Sequence, residues 1–481
     1  MPEERTTMAG ATPFVPPRDV RHIHLIAICG TGMGALAAML KDLGYTVTGS
    51  DQNVYPPMSD FLAARGIAIF NGYRPENLDA GPDLVVVGNA VSRDNPEVQA
   101  MQARGMAYCS MPQAVNAYAA AGKRQIVITG THGKTTTSSF IAWLLETAGL
   151  APAFLIGGIV SNFESNYRAG RGGWIVLEGD EYDTAFFDKG PKFLHYQADI
   201  AVLTSIEFDH ADIFSDLSAI KAAFAALIRR LPPDAVLIAH DRDANIAELL
   251  PQAGCTVVAY GQDTASPWSL GNIRIAPPHT HFEVFHHGRL FGAFKTPIIG
   301  EHNLNNLLAG IAVASRLNLD QGTMGKALAT FRGVKRRQEI RGDKNGVLVI
   351  DDFAHHPTAV QATIAAVKAF YAGRRLIAVF EPRTNSSRRN IFQKSYPPAF
   401  AEADLTCVRR PPLLEKIPRE IRFSSEHLVA DLNRMGRQAF YFPDTDAIVD
   451  FLVTKARPGD VILVMSNGGF DNIHTRLLQA L

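Results

Sequence analysis

The chain has 481 residues, too many for one hydrophobic core, and domains of roughly 100 to 200 residues predict about three of them. Lysine plus arginine (47) balances aspartate plus glutamate (47), so no overall field draws the protein onto nucleic acid or an anionic membrane. Any polyanion site must therefore be local, and the sequence indicates no nucleic-acid, membrane or obligate protein partner.

The first 19 residues carry three prolines and charges but no apolar h-region, which predicts a disordered tail rather than a signal peptide. No apolar run approaches the roughly 20 residues needed to cross a bilayer. Far-apart cysteines without metal-ligand spacing favour a reducing compartment and four inert buried thiols: Cys29, Cys109, Cys255 and Cys407. We therefore predict a cytoplasmic protein.

From His22 onward, short apolar strands alternate with helical stretches, which predicts parallel α/β layers. Three blocks follow the tail, with boundaries at residues 20–121, 122–331 and 332–481. Strands are expected near residues 22–29, 46–49 and 84–87 in the first block, 126–128, 174–177 and 200–203 in the second, and 347–350, 376–380 and 461–465 in the third. A helix is predicted at residues 302–316.

The first chemistry-bearing cluster is a G-x-G-x-x-A turn between the first strand and a helix, with Asp51 at the end of the second strand. The turn consists of Gly30, Thr31, Gly32, Met33, Gly34 and Ala35. Such a turn places a pyrophosphate on a helix N-terminus, with a carboxylate for ribose hydroxyls. A nicotinamide dinucleotide, another nucleoside diphosphate and a ligand-free packing turn all remain open.

A second Gly-rich turn follows the apolar strand at residues 126–128 and contains Gly130, Thr131, His132, Gly133, Lys134, Thr135 and Thr136. Backbone N–H groups and a helix N-terminus there can close around a triphosphate. Lys134 would reach the outer phosphates and the Thr135 hydroxyl would bind Mg²⁺. The strict P-loop spacing requires glycine where this chain has Ile128, so the loop is a variant.

Acidic residues follow the next strand of the same block, in the run Glu-Gly-Asp-Glu-Tyr-Asp at residues 178–183. Carboxylates at the carboxyl edge of a parallel sheet suit Mg²⁺, and Glu178, nearest the strand end, is the favoured ligand. An acidic solvated loop is the alternative. His210, after a further strand, could bind a second metal ion or the transferring phosphate, although a lone histidine is usually structural.

Three further clusters lie toward the C-terminus. The run 300–306 contains Asn303 and Asn306, whose amides could contact a purine edge, or Asn303 could simply cap the helix. In the third block, Arg337, the run 351–357 and the arginine-rich turn 381–389 could bind anions, or could be solvated turns. The pair at residues 286–287, both histidines, is predicted to lie at the surface.

In this order, the clusters resemble the Mur ligase family. The family motifs Gly-Thr-x-Gly-Lys-Thr, His-Asn-x-x-Asn and Asp-x-x-His-x-Pro match residues 130–135, 302–306 and 352–357, and the resemblance covers about residues 20–475. It implies three domains: an N-terminal Rossmann-like UDP-binding domain, a central P-loop ATPase domain and a C-terminal Rossmann-like domain. It also implies an amide ligase that uses ATP and Mg²⁺ to activate the carboxylate of UDP-N-acetylmuramate as an acyl phosphate.

The resemblance assigns expected roles to individual residues. ATP contacts would be Gly130, Thr131, His132, Gly133, Lys134, Thr135, Thr136, Asn306, Arg337 and Asp352. UDP-N-acetylmuramate would contact Gly30, Thr31, Gly32, Met33, Gly34, Ser50, Asp51, Asn89 and Ser92. Metal ligands would be Thr135, Glu178 and His210, and catalytic residues Lys134, Glu178, His210 and His355, the last positioning the amine. Tripeptide recognition is assigned by hypothesis to Arg383, Asn385 and Ser386.

Three stretches resemble the branch of the family that adds the murein tripeptide L-alanyl-γ-D-glutamyl-meso-diaminopimelate during peptidoglycan recycling: residues 53–59, 179–189 and 380–390. The sister branch, which adds L-alanine, usually has Glu-Ala-Asp-Glu-Ser-Asp at 178–183 and Gln-Pro-His-Arg at 381–384. Several relatives carry a carbamylated lysine where this chain has Ala225, and Lys221 lies too early to replace it. Both branches lack that lysine.

Three alternatives remain. An L-alanine ligase would be distinguished by its amine acceptor. A nicotinamide oxidoreductase fits the first turn and Asp51, but the second phosphate loop and its carboxylates argue against it. A non-catalytic nucleotide-binding regulator would be indicated only by an absence of ATP turnover with every acceptor.

Overall fold

The computed structural model describes residues 14–209, 211, 213–261 and 265–481. Contacts divide the chain into two compact units. The first contains the described parts of residues 1–206, 220–260 and 309–324, and the second contains those of 207–219, 261–308 and 325–481. Most of the predicted tail, up to residue 13, lies outside the described residues.

The first unit begins with a five-stranded parallel sheet of order β3-β2-β1-β4-β5. Its strands are β1 (His22–Ile26), β2 (Thr46–Asp51), β3 (Ala68–Asn71), β4 (Leu84–Val87) and β5 (Tyr108–Ser110). Its helices are α1 (Thr31–Asp42), α2 (Met58–Ala63), α3 (Pro96–Ala103) and α4 (Met111–Ala114). The continuous apolar run of β4 is fully buried, as expected for a strand covered on both faces.

The same unit contains a second sheet, in the order β14-β13-β12-β6-β9-β7-β8, parallel except for the β7–β8 pair. The strands are β6 (Arg124–Thr129), β7 (Ala153–Val160), β8 (Ser165–Arg168), β9 (Trp174–Glu178), β12 (Ala198–Leu203), β13 (Val236–His240) and β14 (Thr256–Gly261). A separate hairpin pairs β10 (Asp183–Ala185) with β11 (Asp188–Pro191). Helices here are α5 (Lys134–Thr147), α6 (Leu217–Arg230) and α7 (Ala244–Leu249).

The second unit contains an antiparallel meander of β15 (Trp268–Ala276), β16 (His279–His286) and β17 (Arg289–Thr296). Its main sheet has the order β18-β19-β23-β20-β21-β22, parallel except at β18. These strands are β18 (Glu339–Lys344), β19 (Val347–Asp352), β20 (Leu376–Phe380), β21 (Leu405–Arg409), β22 (Ala439–Phe442) and β23 (Val461–Met465). Helices α8 (Glu301–Arg316) and α9 (Gln321–Thr330) each have residues in both units, and the other helices of the second unit are α10 (Pro357–Phe370), α11 (Tyr396–Ala399), α12 (Ser425–Arg434), α13 (Thr445–Lys455) and α14 (Ile473–Ala480).

The predicted α/β class is confirmed, and the strands predicted at 84–87, 376–380 and 461–465 have the predicted bounds. The first strand is shorter than predicted: it ends at Ile26 because Ala27 has a φ of 66°, which turns the chain. Helix α8 begins at Glu301, so the alternative role of Asn303 as its cap is wrong; that side chain donates to the Ile299 carbonyl instead (2.9 Å).

The predictions for the histidine pair and for the cysteines can also be compared with the structure. Of the two histidines predicted to lie at the surface, His287 is exposed, whereas His286 is half-buried and stacks against Trp268 with 4.2 Å between ring centroids. All four cysteines are free, but only Cys109 and Cys407 are buried. Burial raises the pKa of the half-buried Cys29 to about 11, which keeps that thiol protonated at neutral pH. Among the described residues, no helix has both the length and the apolarity to span a bilayer.

Candidate active site

The loop between β6 and α5 has a backbone that requires glycine. Gly130 has a φ of 124°, and a Cβ added there would lie 2.2 Å from the Thr204 hydroxyl oxygen. No side chain fits that space without moving Thr204 and Ser205, which follow β12, and L residues rarely adopt that φ. The chain can therefore pass tightly beneath the start of α5, where the first backbone N–H groups of the helix have no intrahelical acceptor.

The loop is also fixed by the residues that follow β12. The Thr131 N–H donates to the Ser205 carbonyl and the His132 N–H to the Ser205 hydroxyl, both at 2.9 Å. The Thr204 hydroxyl donates to the Thr129 carbonyl at 3.0 Å. Two N–H groups expected to face a phosphate are thus used within the protein, so the N–H groups at the start of α5 are the ones that stay available to an anion.

Lys134 is the first residue of α5 and is only 9% exposed. Its ammonium donates to the Gly130 carbonyl (2.5 Å) and to both oxygens of Glu181 (2.8 and 3.2 Å). Burial acts to lower the pKa of Lys134, but the carboxylates of Glu181, Asp180 and Glu178 outweigh it and raise the pKa. The lysine therefore stays charged. Sequence reasoning had assigned no role to Glu181.

Glu178 ends β9 and meets Thr135 across the sheet edge. One carboxylate oxygen accepts the Thr135 hydroxyl (2.8 Å) and the other accepts the Gly157 N–H (2.7 Å). Burial and the neighbouring Asp180 raise the pKa of Glu178. A hydroxyl and a carboxylate oxygen side by side form the hard oxygen set that Mg²⁺ prefers, so these residues fit that ion. The third predicted ligand, His210, lies outside the described residues.

Besides backbone hydrogen bonds such as that from the Ile28 N–H to the Ser50 carbonyl (3.0 Å), the first Gly-rich turn is held by Asp51. Its carboxylate accepts the Cys29 N–H and the Asn53 N–H, both at 2.9 Å, so each oxygen retains one lone pair for a ligand. Gly30 precedes α1 with an ordinary φ of −65°. The neighbouring Ser50 is fully buried, and within the described part of the chain its hydroxyl has no hydrogen-bond partner, which fits a polar ligand.

The remaining residues predicted to bind UDP-N-acetylmuramate surround this turn. Gly34 is closely packed, because an added Cβ would lie 2.5 Å from the Met58 sulfur and 3.2 Å from the Ile28 carbonyl. The other predicted contacts lie on the first turn of α1 and on the exposed loop after β4: Thr31, Gly32, Met33, Asn89 and Ser92. The structure therefore brings all the predicted nucleotide-sugar contacts to the carboxyl edge of the first sheet.

The β10–β11 hairpin connects that first sheet to the phosphate loop. Phe187 packs edge-on against Tyr108 with ring centroids 5.0 Å apart, and Arg93 lies 6.0 Å above the Phe186 ring. Both phenylalanines pack against the buried cluster beneath β4. The stretch 179–189, which resembles one branch of the family, therefore contacts both the N-terminal sheet, through its phenylalanines, and Lys134, through Glu181.

In the second unit, two predicted nucleotide contacts, Asn306 and Asp352, lie along one hydrogen-bonded network, and the third, Arg337, lies near Asp352. The Asn306 amide donates to the Asn303 side chain (3.2 Å), and Asn303 donates to Gln338 (3.1 Å). The Gln338 N–H donates to Asp352 (2.8 Å), at the end of β19. Burial raises the pKa of Asp352, whereas the charge of Arg337 lowers it. Gln338 was absent from the predicted site, and Asn303 had been considered as a purine contact or a helix cap.

His355 follows β19 and lies near the segment at residues 207–209. Its Nε2 is 3.8 Å from an Asp209 oxygen, and its Nδ1 is 3.0 Å from the Phe353 carbonyl. Ser386, predicted to contact the peptide, is only 2% exposed and accepts the Ala211 N–H at 3.3 Å. Its role in substrate binding stays a prediction, but its hydroxyl already has a protein partner.

A cluster of charged residues lies at the carboxyl ends of β20, β21 and β23. Glu381 is fully buried, accepts the Ser466 hydroxyl (2.8 Å) and pairs with Arg409. The Arg383 guanidinium lies 3.5 Å from the same carboxylate. Beside it is a cavity of about 270 Å³ lined by Arg409, Arg410, Pro411, Pro412, Leu413, Leu414, Glu415 and Pro443. Asn385 bonds Arg388 at 2.7 Å.

Comparison with known proteins agrees with this arrangement. The chain matches the Mur ligase family, catalytic domain, at residues 22–123, the Mur ligase middle domain at 128–314 and the Mur ligase, glutamate ligase domain, at 336–468. These consecutive matches confirm the three-domain architecture. The domain boundaries at residues 121 and 331 stay predictions.

Individual relatives match nearly the whole chain. This chain is 40% identical to the UDP-N-acetylmuramate–L-alanyl-γ-D-glutamyl-meso-2,6-diaminoheptandioate ligase of Haemophilus influenzae, and the alignment covers 96% of this chain and 99% of that protein. The crystal structure of a murein peptide ligase from Psychrobacter arcticus is 35% identical, with a TM-score of 0.69 and coverage of 96% and 98%. A UDP-N-acetylmuramate–L-alanine ligase of a Geobacter species is 33% identical, covering 96% and 98%.

Proposed function

The chain belongs to the Mur ligase family of ATP-dependent ligases, and on that premise we propose that it joins UDP-N-acetylmuramate to L-alanyl-γ-D-glutamyl-meso-diaminopimelate in murein recycling. The observation that carries this proposal is the 40% identity, over 96% of the chain, to a ligase of that name. The L-alanine ligase is the second candidate, at 33% identity. A cytoplasmic location accords with this role and stays a prediction.

The phosphate loop supplies the groups needed for phosphoryl transfer. Lys134 would exchange Glu181 for the outer phosphates of ATP, because a multiply charged phosphate competes strongly for a buried ammonium. Thr135 and Glu178 would hold Mg²⁺, which neutralises phosphate charge when bound. The acyl phosphate is easily hydrolysed, so burial around Lys134 serves to exclude water.

The second unit contains its own set of predicted nucleotide contacts. An Asn amide offers both a donor and an acceptor, which suits an adenine edge. Asn306 is oriented by Asn303 and Gln338, and Asp352, beside Arg337, suits ribose hydroxyls. His355 would orient the attacking amine through contact rather than by accepting its proton.

The charged cluster at the end of β20 supports an acceptor that bears several carboxylates. Glu381 fixes Arg409 and lies near Arg383, so two guanidinium groups remain in place at the sheet edge. The L-alanine branch usually has glutamine at the position of Glu381, and an amide could not balance two cations. We assign the adjacent cavity of about 270 Å³ to the peptide.

The deciding experiment measures phosphate release from MgATP with UDP-N-acetylmuramate and one of two acceptors, L-alanine or the tripeptide. We expect turnover with the tripeptide and none with L-alanine. Turnover with L-alanine alone would replace the proposal by the biosynthetic alternative. Absence of turnover with both would leave a nucleotide-binding regulator as the remaining explanation.

A further inference from the structure

Two lysines on or just after the β10–β11 hairpin differ in burial although their ion pairs have the same length. Lys189 is 3.3 Å from Asp183, and its side chain is 67% exposed. Lys192 is also 3.3 Å from a carboxylate, that of Asp180, but its side chain is only 15% exposed. A buried ammonium loses hydration that a surface lysine keeps, so the position of Lys192 calls for a reason beyond solubility.

Lys192 lies next to the residues of the phosphate site. Its partner Asp180 is close enough to Glu178 and Lys134 to raise the pKa of both groups. The backbone N–H of Phe193 also donates to the Asp180 carbonyl, at 3.4 Å. One carboxylate therefore separates the Lys192 ammonium from the groups expected to bind phosphate and Mg²⁺.

The hydrogen bonds of Lys192 are incomplete. An ammonium has three N–H donors, and among the described residues only Asp180 accepts one, while the Tyr182 ring lies 5.9 Å away. Lys134, in contrast, donates to Gly130 and to both oxygens of Glu181. The ammonium of a largely buried side chain with N–H donors to spare is suited to receive an anion.

The position of the β10–β11 hairpin indicates which anion Lys192 would bind. Phe186 and Phe187 pack the hairpin against the N-terminal sheet, which carries the predicted UDP-sugar site. The residues that flank the hairpin lie at the phosphate site. The group that must travel between these two sites is the carboxylate to be phosphorylated. Lys134 already occupies the phosphate loop, so a second ammonium here is better placed for the carboxylate than for the triphosphate.

We propose that Lys192 is a further catalytic residue, whose ammonium binds the substrate carboxylate as it attacks ATP. The assignment rests on the proposed function. In this step a carboxylate oxygen supplies the electron pair for a new oxygen–phosphorus bond. The bond from the γ-phosphorus to the β,γ-bridging oxygen breaks, and its electron pair leaves with ADP. Lys192 keeps its proton throughout and holds the carboxylate by a charge-assisted hydrogen bond.

The test compares Lys192→Met and Lys192→Arg with the matched control Lys189→Met in the full-length protein. Calorimetry measures binding of UDP-N-acetylmuramate and of UDP-N-acetylglucosamine, which lacks the carboxylate. We expect Lys192→Met to weaken binding of UDP-N-acetylmuramate about ten- to hundredfold, since one charged hydrogen bond is lost. The Kd for UDP-N-acetylglucosamine should stay within about twofold. Lys192→Arg should recover part of the loss, and Lys189→Met should match the unaltered protein.

Steady-state kinetics provides the second readout. The KM for ATP should stay within about threefold in Lys192→Met, while kcat/KM for UDP-N-acetylmuramate falls about tenfold or more. If Lys192→Met loses affinity equally for UDP-N-acetylmuramate and UDP-N-acetylglucosamine, or binds UDP-N-acetylmuramate as tightly as the unaltered protein, the assignment is overturned. If Lys192→Met fails to fold, binding of the two nucleotide sugars is compared in Lys192→Gln, which also lacks the charge, and an unchanged preference for UDP-N-acetylmuramate there would overturn the assignment.

The same measurements separate this inference from the proposed function. If the unaltered protein uses L-alanine instead of the tripeptide, the acceptor is wrong but the carboxylate substrate and the role of Lys192 are unaffected. If the unaltered protein does not bind UDP-N-acetylmuramate, both are overturned. If it binds and turns over normally while the sugar preference of Lys192→Met is unchanged, only the role of Lys192 is overturned.

Discussion

The two glycine-rich turns of the first unit have similar sequences but are held in different ways. The loop after β6 is held by the carbonyl and the hydroxyl of Ser205, which follows β12, and contains a glycine with a φ of 124°. The turn after β1 is held by the Asp51 carboxylate together with backbone hydrogen bonds, and its first glycine has an ordinary φ of −65°. A glycine in a phosphate motif can thus be required by the fold, by packing or only by the ligand.

The largest effect is expected from Gly130→Ala. The new Cβ would lie 2.2 Å from the Thr204 hydroxyl, and the φ of 124° is strained for alanine. Relief requires movement of the loop, so we expect kcat/KM for ATP to fall at least about a thousandfold, because such positioning supplies much of phosphoryl-transfer catalysis. Phosphate-release kinetics would measure this, with Gly173→Ala, an open position, as the control. If Gly130→Ala kept a kcat/KM for ATP within about tenfold of the unaltered protein, the loop would not require glycine at this position.

The next effect concerns the oxygen pair assigned to Mg²⁺. Thr135→Val removes the hydroxyl that donates to Glu178 at 2.8 Å but keeps a β-branched side chain of similar size. We expect the Mg²⁺ concentration for half-maximal turnover to rise about ten- to hundredfold, since one ligand of the ion is lost. Thr147→Val, at the far end of the same helix, is the matched control. An unchanged Mg²⁺ dependence would remove Thr135 from the metal site.

The strands and the position of the site could be predicted from the sequence, whereas several contacts could not. Apolar runs such as 84–87 and 461–465 define strands directly, and residues that follow neighbouring parallel strands must meet at one edge, as Thr135 and Glu178 do. The Glu181 contact with Lys134 depends on how a loop folds back. Likewise, the N–H of Gly157 has no side chain to mark it.

A third substitution examines packing in the turn after β1. Gly34→Ala would place a Cβ 2.5 Å from the Met58 sulfur and 3.2 Å from the Ile28 carbonyl. Met58 can move but the carbonyl cannot, so we expect a loss of about 1–3 kcal/mol in stability and a Tm lowered by about 2–12 °C. Calorimetry measures the Tm, and KM for UDP-N-acetylmuramate should rise only a fewfold. An unchanged Tm would mean that α1 shifts without strain.

The smallest effect on the fold is expected from Gly30→Ala, which separates a requirement of the ligand from a requirement of the protein. The nearest heavy atom to a Cβ there is 3.6 Å away, an ordinary contact, and the φ of −65° suits alanine. Alanine is a poorer helix cap than glycine by about half a kcal/mol, so the Tm should fall by no more than about 2 °C. A bound pyrophosphate, however, would approach this backbone closely. We therefore expect KM for UDP-N-acetylmuramate to rise about tenfold while KM for ATP stays constant. Unchanged constants for both substrates would show that the turn only packs helix on strand, and a large fall in Tm would show that the fold itself requires this glycine.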